Sequence, residues 1–97
     1  MVRPRLCRRI RFNPEVTYFK PQGIPLKNLE EVNLEVDEFE SVRLVDFEEI
    51  EQKIAGEKMN ISQPTLSRIL KSARKKISDA IIQGKAIKIH GGNFKIR

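Results

Sequence analysis

The chain is poor in the residues that usually announce an active site. It has no tryptophan, and cysteine, histidine and tyrosine occur once each in 97 residues. A lone Cys7 cannot close an intramolecular disulfide, which suits a reducing cytoplasm. Zinc wants three or four soft ligands, and Cys7 and His90 lie on distant segments, so no metal and no other cofactor is expected. With one imidazole, and no nucleophile paired to it in a recognisable motif, an enzyme is not expected either. "HGGN" at 90–93 has no P-loop lysine and reads as a turn. No apolar run approaches the roughly 20 residues that span a bilayer, and the basic start "MVRPRLCRRIRF" lacks the apolar stretch of a secretory signal. These absences leave a small cytoplasmic binding domain.

What the chain does have is charge, and the charge is segregated. The net charge is +6. Residues 30–51 nevertheless hold ten acidic groups against the single Arg43, a net of −9, so the remainder carries +15. The basic residues gather at Arg3, Arg5, Arg8, Arg9 and Arg11, and again at Arg68, Lys71, Arg74, Lys75 and Lys76. Such polarity implies one face for a polyanion and another turned away from it.

Periodicity sets the architecture. "RLCRRIRF" (5–12) alternates as a short strand, "NPEVTYFKPQGIP" is punctuated by prolines and reads as an irregular connection, and Val32, Leu34 and Val36 alternate as a second strand. Asp37 looks like a helix N-cap with Glu40 completing a capping box, and Phe39, Val42 and Val45 give that helix an apolar side as far as Asp46. A second helix covers about Glu49 to Met59 with Ile50, Ile54 and Ala55 inward. Ser62 caps a third, Pro64 fits its first turn, and Leu66, Ile69, Leu70, Ala73, Ile77, Ala80 and Ile81 form one stripe that stops at Gly84. At 1.5 Å per residue a helix over 63–83 is roughly 31 Å long. Residues 85–97 alternate about Gly91-Gly92 as a β-hairpin. The expectation is one mainly helical α+β domain over 1–97. It has a basic arm or strand at 1–12, a helical core at 37–83 and a small sheet built from the terminal segments.

Two helices joined by a tight turn, the second long and basic, meet the requirements of a helix-turn-helix at about 49–77. Gly56 is small where the helices cross, and Asn60 tolerates the left-handed conformation. Ile61 plugs the turn, and Ser62 caps the helix that follows. "QKIAGEKMNISQPTLSRIL" resembles the helix-turn-helix of prokaryotic transcription regulators and of the last region of sigma factors, with Gly56 where Ala is usual and Asn60 where Gly is usual. "RPRLCRRIRF", "YFKPQGIPL", "VDEFESVRLVD" and "SARKKISDAIIQGKAIKIHGGNF" extend the resemblance over nearly the whole chain. They are similar to a family of small uncharacterised prokaryotic proteins predicted to bind DNA through a sigma-factor-like helix-turn-helix.

The resemblance implies DNA binding, with Gln63, Pro64, Ser67, Arg68 and Lys71 toward the major groove. Arg68 matches guanine and Gln63 adenine as bidentate readers. Ser62 and Thr65 suit phosphates, and Arg74, Lys75 and Lys76 can hold the backbone beyond them. Arg3-Pro4-Arg5 suits a narrow minor groove, while Arg9 and Arg11 could equally face Glu31 and Glu35. A homodimer on a palindromic site is normal for this class. The acidic segment is either a solvated face or a contact for a basic partner such as RNA polymerase. An RNA-binding module and a protein-binding adaptor remain as rivals. Scattered Phe12, Tyr18, Phe19 and Phe94 offer RNA a poor stacking platform.

Overall fold

The centre of the molecule is a single long helix that serves two small cores. The computed structural model describes residues 18–90. In chain order these form β1 (Tyr18–Phe19), a 3₁₀ turn (Leu26–Asn28), β2 (Glu31–Glu35), α1 (Val36–Val42), a π-helical turn (Arg43–Phe47), α2 (Gln52–Met59), α3 (Gln63–Gln83) and β3 (Ala86–His90). It is a mainly helical α+β fold, as expected. The basic arm, the strand expected at 5–12 and the second arm of the hairpin lie outside the described residues.

The sheet has the order β1-β3-β2. β3 is therefore central, antiparallel to β1 (Tyr18 opposite Lys88) and parallel to β2 (Leu34 opposite Ile89). Joining two parallel neighbours demands a crossover, and α1 to α3 supply it. This corrects one expectation. The proline-rich connection contains a strand, because Tyr18 and Phe19 favour extended backbone and find a partner in β3, with the Lys88 ammonium 5.9 Å from the Tyr18 ring centre. Residues 86–90 pair with β1 and β2 in a three-stranded sheet, which agrees with the small sheet expected from the terminal segments.

The first helix starts two residues earlier than Asp37 implied. Its N-cap is Glu35, whose amide donates to Glu38 Oε1 at 2.9 Å. Glu38 thus closes the first turn in the place assigned to Glu40, while Glu40 holds Arg43 at 2.7 Å. The helix then widens. Glu48 N donates to Arg43 O at 2.8 Å, a five-residue step, and Ile50 N to Leu44 O at 3.0 Å. The widened turn buries Leu44, turns Phe47 outward to 78% exposure and ends at Glu49 with φ +59°. A left-handed residue cannot sit inside a right-handed helix, so α2 begins at Gln52 and not at Glu49.

One core cluster joins Leu34, Ala73 and Ile89, with Phe39, Val42, Ile77 and Ile87 packed around it. The other joins Leu44, Ala55 and Leu66, flanked by Val45, Ile50, Met59 and Ile61. Leu66 from the first turns of α3 and Ala73 from its middle thus anchor different clusters on one helix. Two residues assigned to the interior are outside it: Ile54 is exposed, and Ile81 is 70% exposed.

Candidate nucleic-acid interface

The connection between α2 and α3 is fixed by backbone geometry. Asn60 ends α2 at φ 63°, ψ 41°, in the left-handed conformation expected of it. Ile61 N donates to Gly56 O at 2.9 Å, folding the turn against α2. A Cβ at Gly56 would stand 3.0 Å from the Ile61 carbonyl oxygen, tighter than a methyl normally tolerates. Glycine therefore costs α2 about 1 kcal/mol of helix propensity but lets the turn close.

Ser62 then caps α3. Its Oγ accepts from Thr65 N at 3.3 Å, and its hydroxyl donates to Thr65 Oγ1 at 2.9 Å. Arg68 reaches the same Thr65 oxygen at 3.5 Å, the long limit of a hydrogen bond. Both hydroxyls assigned to phosphate thus already serve the cap, and that of Thr65 also accepts from the tip of the Arg68 guanidinium. Burial of Leu66 and Leu70 fixes the rotation of the helix. Gln63, Pro64, Ser67, Arg68 and Lys71 are all left exposed on its first two and a half turns. The structure brings these five together on one surface.

The three cations further along α3 are placed differently. Arg74 grips Asp46 with two bonds, Nη2 to Oδ1 at 2.6 Å and Nε to Oδ2 at 3.1 Å. Lys76 turns toward the sheet side, where its ammonium bonds Glu38 Oε1 and Asn33 O, each at 2.8 Å. Lys75 is exposed and makes no ion pair among the described residues. Arg3 and Arg5 lie outside the described residues.

Glu38 is the group that sequence reasoning missed. Its side chain is almost wholly buried, yet it accepts from Ser72 Oγ at 2.6 Å, from Lys76 and from the Glu35 amide. Burial alone pushes its carboxyl up. The three hydrogen bonds and the Lys76 charge outweigh that and hold it below the ordinary glutamate range. Phe47 was missed too: it projects between Asp46, Glu48 and Glu49, all exposed. Among the described residues no group of three or more His, Cys, Asp or Glu could hold a metal ion. No helix there is long and apolar enough to cross a membrane.

This geometry defines a small α+β domain that presents a polar helix end on a rigid turn. The chain belongs to the family DUF134, described as proteins of unknown function, whose profile matches residues 1–97. It is 55% identical over 95 residues to a UPF0251 protein of Desulforudis audaxviator, covering 98% of this chain and 62% of that one. A UPF0251 protein of Moorella thermoacetica is 51% identical over 96 residues, covering 99% and 64%. One of Caldanaerobacter subterraneus is 53% identical over 96 residues, covering 99% and 81%. The chain thus spans under two thirds of the length of the first two of these relatives. No solved structure matches it.

Proposed function

We propose that the chain is a sequence-specific double-stranded DNA-binding protein, a cytoplasmic transcription regulator whose α2–turn–α3 unit is a sigma-factor-like helix-turn-helix. The observation that carries this reading is the exposed surface of Gln63, Pro64, Ser67, Arg68 and Lys71, held on a helix whose opposite side is locked by Leu66 and Leu70. A major groove about 12 Å wide admits one helix and offers donors and acceptors to its side chains. Arg68 and Gln63 read base edges. Lys75 and the Gln63 backbone amide at the start of α3 hold phosphates. Lys76 is left out of the phosphate set because Glu38 already holds it.

A second contact surface has an observation of its own. Phe47 stands 78% exposed among carboxylates, a combination that repels DNA and suits a basic protein surface such as a subunit of RNA polymerase. It adds a protein partner to the DNA reading.

Gel-shift titrations against duplex DNA, single strands and RNA over a range of salt test the proposal. Duplex should bind most tightly, with log affinity falling linearly in log salt. Tighter RNA binding, or duplex affinity indifferent to salt, overturns it. Selection of bound fragments from random duplex would then give the site.

A further inference from the structure

The apolar stripe of α3 outruns the core it serves. Leu66, Leu70, Ala73 and Ala80 are buried, but Ile81, which continues the same spacing, is 70% exposed, and Ile82 beside it 81%. Phe19, on the edge strand β1, is 56% exposed. Between the strand and the helix end runs a groove of about 260 Å³, lined mainly by Phe19, Pro21, Ala80, Ile81, Gly84 and Ile87. Large apolar side chains gathered at one place on a surface mark a contact.

We propose that this end of α3 is a homodimer interface, in which a second copy of the chain seats its own helix end against the groove. Three features select that occupant. A two-fold interface needs a projection and a hollow within one patch. Ile82 follows Ile81 by one residue and is turned about 100° from it, so the patch has a projection next to its groove. The charge balance also suits a like surface. Lys85 in the groove lining is held by Asp79 at 3.0 Å and Glu30 at 3.5 Å, so of the two lysines that line the groove only Lys20 is without a carboxylate among the described residues, its ammonium resting on the Ile24 carbonyl at 2.7 Å. A polyanion or an anionic membrane would instead be met by cations that make no ion pair among the described residues, such as Arg68 and Lys71, which lie nearer the other end of the helix.

The area is also sufficient. Phe19, Ile81 and Ile82 at these exposures present roughly 350–400 Å² of apolar surface per copy. Two copies at the roughly 65% apolar content of homodimer interfaces give about 1,150 Å² in all, at the lower edge of stable association. An interface of that size belongs with the weaker, reversible associations.

Such a dimer follows from exposure and shape, independently of the DNA reading. It does have a consequence for that reading, since the patch lies about 30 Å from Ser62 along α3. A dimer formed there leaves both reading turns free, one for each half of a palindrome.

Sedimentation velocity of the full chain across the micromolar range tests it. The wild type should shift from monomer to dimer with concentration. Ile82→Glu and the milder Ile82→Ser should each weaken the dimer at least about tenfold, with circular dichroism unchanged, and Ile54→Ala, at an exposed apolar position on α2, should leave it as it is. A wild-type chain that stays monomeric, or serine and glutamate variants that dimerise undiminished, overturns the proposal. A duplex titration run in parallel separates the two readings. If the chain dimerises through Ile82 but ignores duplex, the interface stands and the DNA reading falls.

Discussion

Five cations between residues 68 and 76 look alike in the sequence and have two different roles in the structure. Arg68, Lys71 and Lys75 are exposed and make no ion pair among the described residues. Arg74 and Lys76 are taken up by Asp46 and Glu38, both from the acidic segment. The difference is one of helical phase. At 100° per residue, Arg74 and Lys76 fall on the two flanks of the exposed face, toward the π-helical turn and toward α1, where the carboxylates stand. The acidic segment therefore does more than face away from a polyanion. It cancels charge on the helix proposed to read DNA, and the field at that helix is smaller than a count of lysines and arginines suggests.

The comparison breaks most visibly if Glu38 proves dispensable. Glu38→Ala strips the bonds from Ser72 and the Glu35 amide and leaves Lys76 half-buried without its anion. It should cost about 2–3 kcal/mol of stability, measured by chemical denaturation, with duplex affinity unchanged while the protein is folded. The pH dependence has a definite sign. Because the folded carboxyl titrates below its unfolded value, its contribution is complete above the ordinary glutamate range. It is lost as the pH falls through the lowered folded value. Melting temperature against pH should be flatter in acid for Glu38→Gln than for the wild type. A Glu38 variant of normal stability but altered DNA binding would assign Lys76 to the reading surface after all.

Next in size is Arg68→Ala. It should cost about 1–3 kcal/mol and relax preference at a single base pair, read by competition among substituted duplexes. Lys75→Ala should cost less, weaken all sequences alike and lower the salt slope by about one. Equal and uniform losses from both would erase the distinction between reading and holding.

How far the sequence carries such distinctions depends on the range of the signal. α3 was legible end to end, 63 to 83, because its punctuation is local: Ser62 caps it, Pro64 suits its first turn and Gly84 leaves it at φ 69°. Asn60 was legible for the same reason. β1 was hidden because two residues form a strand only when Ile87 and Lys88, some seventy positions on, arrive to pair with them. The π-helical turn displaced the start of α2 and exposed Phe47, and neither follows from apolar spacing. In the proposed site, exposure of Gln63, Ser67 and Arg68 followed from the stripe opposite them. The fates of Arg74 and Lys76 did not, since their partners lie 28 and 38 residues away. The ten carboxylates of residues 30–51 were the available clue, without a register to say which cation each would meet.

The smallest predicted effect is the sharpest test of the comparison, because it should convert one kind of cation into the other. Asp46 and Arg74 are both about half exposed, and an ion pair so open to water is worth about 0.2–1 kcal/mol. Asp46→Asn should therefore barely change the melting temperature. It removes a negative charge beside the helix and releases a guanidinium that phosphate can engage, so duplex affinity should rise by about two- to fivefold at low salt and the salt slope should steepen by about one. Arg74→Ala in the wild type should do little, whereas the same substitution in Asp46→Asn should remove the whole gain. That non-additivity, read from a double-mutant cycle, isolates the pair. A fall in affinity on Asp46→Asn would mean that Asp46 aims Arg74 at DNA, and that a carboxylate partner does not by itself remove a cation from the reading surface.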